Sequence, residues 1–253
     1  MSSIITGSRN TAIGVFAGGF AEAVDSTFVG SGASAFSPVT NSTAIGNTAN
    51  VTADNQVRIG NTLVTSIGGQ VNFTTFSDKR YKKNVTEDVP GLTFIEKLRP
   101  ITYTLDVDAL DETLKGMKPK RPASAPQSAG PGSTRNLHGE VRAGGLDSIL
   151  LPVEDLGERE ATHEERRAKE EKARIVYTGF AAQEVEQAAN DLKYEFSGVD
   201  APKNERDFYG LRYAEFVVPL VKAVQELHAE NTRIKSDLRE LRELVDRLMK
   251  QRD

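Results

Sequence analysis

Short alternating apolar segments, each closed by a glycine, recur along the first part of the chain. Asn10-Thr11-Ala12-Ile13-Gly14 returns as Ser26-Thr27-Phe28-Val29-Gly30, as Ser42-Thr43-Ala44-Ile45-Gly46 and, more loosely, as Gln56-Val57-Arg58-Ile59-Gly60. The glycines stand 16, 16 and then 14 residues apart. The period of two inside each unit predicts a short strand, and the Asn, Ser and Gly residues between units predict turns. One coil of this kind cannot cover its own apolar face, so the units are expected to stack on each other or on other chains.

The pattern then changes. Leu92, Ile95 and Leu98 follow Val89-Pro90-Gly91 at helical spacing, and Arg99-Pro100 stops that helix because the residue before proline is pushed out of the α region. Ile101 to Leu105 reads as a strand. Residues 106–174 read as an insertion. Its part from Lys118 to Gly145 is crowded with Pro, Ser, Ala and Gly. Glu158 to Lys172 is almost wholly charged, with Glu165 and Lys169 spaced as a helical i,i+4 pair, and is expected to be a solvated helix on a projecting arm. Ile175 to Phe180 reads as a strand running into a turn. Ala181 to Ala189 reads as a helix with Ala181, Val185 and Ala188 or Ala189 on its apolar face.

From Leu220 the spacing becomes that of a coiled coil: Leu220, Val224, Leu227, Asn231, Ile234, Leu238, Leu241, Val245 and Leu248 alternate by four and three. Glu230 with Lys235, and Asp237 with Arg242, occupy g and following e′ positions, where parallel chains attract. Asn231 in the seam would fix register and suits a dimer, whereas Leu244 and Met249 at g and e widen the stripe as a trimer needs. Taken with the repeats, a trimer is the expectation; a single amphipathic helix lying on its own domain is the alternative.

Composition narrows the classes. The chain has 253 residues, a hydrophobic content of 38%, no tryptophan and no cysteine, which argues against one large core and removes disulfides and thiolate metal sites. A net charge of −4 gives no reason to expect nucleic acid as a partner. No apolar run reaches the roughly 18 residues of a membrane span, and Met1 to Arg9 is not a secretory signal. No metal site, nucleotide loop or cofactor motif is visible. His138, His163 and His228 read as surface residues.

The candidate chemistry lies in Ser77-Asp78-Lys79-Arg80-Tyr81-Lys82. A serine hydroxyl attacks a carbonyl when a base takes its proton, and lysine is such a base only when neutral. Ordinary lysine titrates near 10.4, so it must be desolvated or surrounded by like charge. Lys79, Arg80 and Lys83 supply like charge, and burial in an assembly would supply desolvation. Ser-Lys catalysis is a known variant of the serine-nucleophile plan. The alternative is structural: Ser77 or Asp78 caps a short helix and the cations form a solvated face.

Several separated motifs carry a resemblance. Ser77 to Val85, Leu98 to Tyr103, Gly179-Phe180-Ala181-Ala182-Gln183-Glu184-Val185-Glu186, Tyr209-Gly210-Leu211-Arg212-Tyr213 and Leu220 to Leu227 occur in an order similar to the C-terminal intramolecular chaperone autoprocessing domain of phage tailspikes and tail fibres. The upstream repeats resemble the head repeats of trimeric adhesins and the repeats of fibre proteins. The resemblance implies an α+β fold in three parts. These are a trimeric β-repeat stalk over 1–76, a chaperone domain over 77–218 with its insertion at about 106–174, and a coiled-coil helix over 219–253.

It also implies a homotrimer whose chaperone domain drives β-fibre folding and then cuts itself once, as a serine autoprotease with no external substrate and no cofactor. Ser77 would be the nucleophile and Lys82 the general base, with Arg80, Gln183 and Glu184 structural. The cut would lie among Phe76, Ser77 and Asp78. A five-membered ring opens Phe76–Ser77, whereas cuts in the family have often been placed at Ser77–Asp78. Expected partners are fibre or baseplate proteins and a host-surface receptor. The expected location is a virion tail or extracellular particle assembled in the cytoplasm, or alternatively the bacterial surface. An uncut structural or adhesive tip is the competing reading.

Overall fold

The computed structural model describes residues 7–19, 22–117 and 162–251. Lys118 to Gly145, His138 and Glu158 to Ala161 lie outside the described residues. The fold is mixed α/β, and the chain divides into two compact units: Met1–Ile67 with Thr104–Ile175, and Gly68–Tyr103 with Val176–Asp253.

In the first unit the described residues of the repeats form nine strands: β1 (Gly7–Ser8), β2 (Thr11–Ile13), β3 (Ala23–Val24), β4 (Thr27–Val29), β5 (Ser34–Ala35), β6 (Val39–Thr40), β7 (Thr43–Ile45), β8 (Asn50–Val51) and β9 (Val57–Ile59). All their pairings are parallel and join equivalent strands of successive coils, in the orders β1-β3-β6, β2-β4-β7-β9 and β5-β8. The register Thr11↔Thr27↔Thr43↔Val57 is the sequence period expressed as stacking. The result is a β-solenoid of about three turns.

Period-2 alternation sorts the side chains. Phe28 and Ala44 point inward and are buried, and Ala12 packs against the same core. Val51, Val39 and a set of alanines complete an interior enclosed by one chain. Stacking of the chain's own coils is therefore enough to cover the inner apolar face, and no other chain is needed for it. The outward partners differ. Ile13 (61% exposed), Val29, Ile45 (40%) and Ile59 (46%) form an in-register ladder on the surface. On the last rung Arg58, exposed, takes the place of Ala12, Phe28 and Ala44, so the core ends in a charged residue.

Polar contacts lock the coils. Inside, Ser26 N–H donates to Asn10 Oδ1 (2.9 Å) and Ser42 N–H to Ser26 Oγ (3.2 Å), one contact per coil. Outside, Arg9, Asp25, Asn41 and Asn55 all sit at positive φ, and their side chains pair as Arg9–Asp25 and Asn41–Asn55. Gly30 has φ +129°, and a Cβ there would run into the Gly46 carbonyl of the next coil.

Two helices of the insertion belong to this unit. α2 (Val107–Met117) and α3 (His163–Ala173) pack on each other, and α3 opens with a capping box between Thr162 and Glu165. Lys169 turns to Asp111 and Asp108 of α2 rather than to Glu165. Asp111 also accepts from Thr62 Oγ1 (2.6 Å), and the buried Lys172 donates to the Val64 carbonyl (2.6 Å). The charged helix is thus not uniformly solvated: two of its lysines are committed inward. Lys169 reaches two carboxylates of α2, whereas Lys172 reaches a backbone carbonyl of the loop leaving the solenoid; both stems are long enough to carry an ammonium that far.

The second unit contains α1 (Leu92–Ile95), β10 (Ile101–Tyr103), β11 (Tyr177–Gly179), α4 (Ala182–Asp191), β12 (Val199–Asp200), β13 (Gly210–Leu211) and α5 (Val217–Lys250). β10 and β11 pair antiparallel, as do β12 and β13. The buried face of α4 is Ala182, Val185, Ala188 and Ala189, one position shifted from Ala181 at its start. Phe94 of α1 is the centre of the core, with ring centroids 4.9 Å from Phe196 and 5.4 Å from Tyr194; Phe216 closes on Phe196 at 4.8 Å.

α5 has two faces. Pro219 and Ala223 are buried, and Glu226 Oε2 accepts from Leu92 N–H (2.7 Å), capping α1 from another element. The opposite face keeps Leu220, Val224 and Leu227 exposed, and from His228 to Gln251 every residue is exposed. Asn231, Ile234, Leu238, Leu241, Val245 and Leu248 all fall in that stretch.

The glycine stack yields one expectation. Gly30→Ala adds strain of about 1–3 kcal/mol and a backbone clash, and lowers the melting temperature of the solenoid. Gly68→Ala, with no atom within 4 Å of the new methyl group, leaves it unchanged. Equal melting of the two variants would contradict the close stacking of coils.

Candidate functional site

Residues 78–82 form one polar turn. Asp78 caps a single 3-10 turn, Lys79–Tyr81, by accepting from Arg80 N–H (2.9 Å), and its carboxylate also takes the Arg80 guanidinium (2.6 and 3.0 Å). The Arg80 hydrogen bonds hold the Asp78 carboxyl below its usual range and raise Arg80 in turn. Arg80 also lies over the Tyr81 ring at 5.7 Å, and Tyr81 meets Phe76 at 5.5 Å between ring centroids.

The turn folds the chain back so that Lys82 Nζ stands 2.9 Å from Ser77 Oγ. These are the two residues expected to act together. With Asp78 occupied by Arg80, Lys82 has no carboxylate partner among the described residues. Both members of the pair are exposed, as is Phe76. Within one chain the geometry supplies proximity but no desolvation. Pairing Arg80 with Asp78 also leaves Lys79 and Lys83 as the neighbouring like charges.

Arg99, from the Leu98-Arg99-Pro100 motif, makes a two-pronged ion pair with Glu184, from the Gln183-Glu184-Val185 motif. The Arg99 hydrogen bonds pull Glu184 below the usual carboxylate range. Gln183 is exposed on α4. Glu186 accepts from the Tyr209 hydroxyl (2.9 Å), which is raised by that bond. Phe180 N–H donates to the Tyr213 hydroxyl (3.2 Å), and a side chain on Gly179 would collide with it. Three separated sequence motifs therefore meet as one packed body in the second unit. Glu226 and Tyr213 lie inside the motifs named from the sequence, but the sequence assigned neither of them a role. Their signal was weak, since a glutamate in the third turn of a helix gives no hint of the N–H it will cap.

Among the described residues no group of three or more His, Cys, Asp or Glu side chains could hold a metal ion, and no helix is long and apolar enough to cross a membrane. Comparison with protein-family models, with characterised proteins and with solved structures finds no match to this chain.

Exposure separates architectural from electrostatic roles. Phe94→Ala opens a buried aromatic site and costs about 3–5 kcal/mol. Arg99→Ala breaks a pair whose side chains are 65% and 46% exposed, and costs at most about 1 kcal/mol. Denaturant unfolding of the two variants checks this ordering, and a larger loss from Arg99→Ala would assign the ion pair a role in holding the fold.

Proposed function

We propose that this chain is the end of a homotrimeric fibre, in which α5 gathers three copies and the Ser77–Lys82 pair then cuts each chain once. The observation that carries the chemical part is the 2.9 Å approach of Lys82 Nζ to Ser77 Oγ, with the adjacent acid held by Arg80.

The assembly part rests on α5. A helix of 34 residues is about 51 Å long, and from His228 to Gln251 every residue is exposed among the described residues. An isolated helix in water is marginal, so an amphipathic helix standing alone is stabilised mainly by what covers its apolar stripe. Ile234, Leu238, Leu241, Leu244, Val245, Leu248 and Met249 are between 45% and 61% exposed. The occupant we assign is a second and third copy of this chain, because Glu230 and Asp237 fall opposite Lys235 and Arg242 of a parallel copy. Val221 joins Leu244 and Met249 in widening the stripe, which favours three strands over two. The outward Ile13–Val29–Ile45–Ile59 ladder offers a further apolar surface to the same assembly.

In the chemical step, neutral Lys82 takes the Ser77 hydroxyl proton and Oγ attacks the Phe76 carbonyl carbon through a five-membered ring. The amide nitrogen leaves with a proton, and water hydrolyses the resulting ester. Attack by Ser77 on its own carbonyl, as a cut at Ser77–Asp78 would need, passes through a strained four-membered ring. Since a lysine base must be neutral, burial of this surface on assembly is the event that would switch it on. The exposure of both residues in a single chain favours a second reading, an uncut structural or adhesive tip. Fibre or baseplate proteins and a host-surface receptor are the partners, on a virion tail, an extracellular particle or a bacterial surface.

On a denaturing gel, self-cutting splits the 27.6 kDa chain into pieces of about 8 and about 20 kDa, and Ser77→Ala abolishes the split. The rate rises from neutral to alkaline pH if Lys82 must lose its proton; a pH-independent rate removes it as base. One intact band for both proteins selects the uncut reading. Separately, Ile234→Asp with Leu238→Asp converts the trimer to monomers by light scattering, and a variant that stayed trimeric would remove α5 as the seam.

A further inference from the structure

The loop that leaves the solenoid precedes Ser77 in sequence, whereas α2 and α3 follow it. In space they meet: Thr62 Oγ1 donates to Asp111 Oδ1 and Lys172 Nζ to the Val64 carbonyl, each at 2.6 Å. Met1–Ile67 and Thr104–Ile175 belong to one compact unit. The contact is built rather than incidental. Asp111 is braced by Lys169, both side chains are largely covered (16% and 21% exposed), and Lys172 is 8% exposed. A buried ammonium is costly unless it is hydrogen-bonded, and a carbonyl beyond the last rung has no further coil to donate to it. Each group therefore answers the need of the other. Burial pushes Lys172 below the usual lysine range, against the pull of Asp111, as an enclosed cation requires.

We propose that the α2–α3 pair is an intramolecular clasp that recognises the exit loop Asn61–Val64 and keeps the N-terminal part bound after any break in the chain between Ile67 and Thr104. A cut at Ser77 then yields a nicked complex, and release of the rod becomes a second step, the opening of the clasp. That consequence rests on the self-cutting reading; the clasp itself does not.

The test makes the cut independently of Ser77. A recognition site for a sequence-specific protease is placed between Gly69 and Phe73, in an exposed stretch outside the strands and helices, in full-length protein carrying Ser77→Ala. After digestion both fragments co-elute in gel filtration at neutral pH. Separation of the fragments would overturn the clasp. The same cut in a chain carrying Asp111→Ala and Lys172→Ala frees the N-terminal fragment, and continued co-elution there would equally overturn it. Thr62→Val, which removes one hydroxyl and leaves every charge in place, covers the case of a double variant that does not fold. It shortens the lifetime of the nicked complex about tenfold, the effect of one hydrogen bond to a charged group, and an unchanged lifetime would count against the proposal. Because the added protease makes the cut, a chain that never cleaves itself is tested just as well.

Discussion

The first unit depends on how closely successive backbones can stack. Parallel coils exchange hydrogen bonds only if equivalent residues lie directly above one another, and this fixes a repeat of 16 residues through β2, β4 and β7. At Gly30 the chains approach so closely that a side chain would occupy the position of the next coil's carbonyl. A coil so tight has little interior, which explains why alanine dominates it and why Phe28 is flanked above and below by Ala12 and Ala44. The buried serines at 26 and 42 are tolerated because each accepts or donates within the stack.

A solenoid solves the burial problem of every coil except the terminal ones. The last rung carries Arg58 in place of an inward apolar residue, and the loop beyond it is held by side chains from α2 and α3. The insertion thereby acquires a structural reason for its charged composition. The Lys172 stem is long enough to carry an ammonium to the Val64 carbonyl of the exit loop, and Lys169 braces Asp111, which accepts from Thr62 of the same loop.

The second unit combines a small aromatic core with a helix much longer than that core can cover. Pro219, Ala223 and Glu226 lie on one side of α5 and attach it to α1, while the apolar stripe on the other side runs on past the end of the core. The Ser77–Lys82 pair shares this incompleteness. Its hydrogen bond is formed in one chain, but the water-poor setting that serine–lysine chemistry requires is not present there. In the proposed trimer, one event, the arrival of further copies, would cover both the stripe and the pair.

The sequence by itself determined the local structure. The spacing of Gly14, Gly30 and Gly46 specified a repeating coil and the four–three alternation from Leu220 a long amphipathic helix, because side-chain period acts over a few residues; the helix expected to run to Arg99-Pro100 instead stops at Ile95, short of Leu98. Lys82 reaches Ser77 because a single short turn, Lys79–Tyr81, lies between them. Tertiary structure decided which surfaces are closed. It alone showed that a single chain encloses the solenoid interior, that Lys169 and Lys172 turn inward, and that Glu226 caps α1 across 134 positions of sequence. Those outcomes depend on which unsatisfied polar group or apolar face lies within reach after folding, and no local pattern encodes that distance.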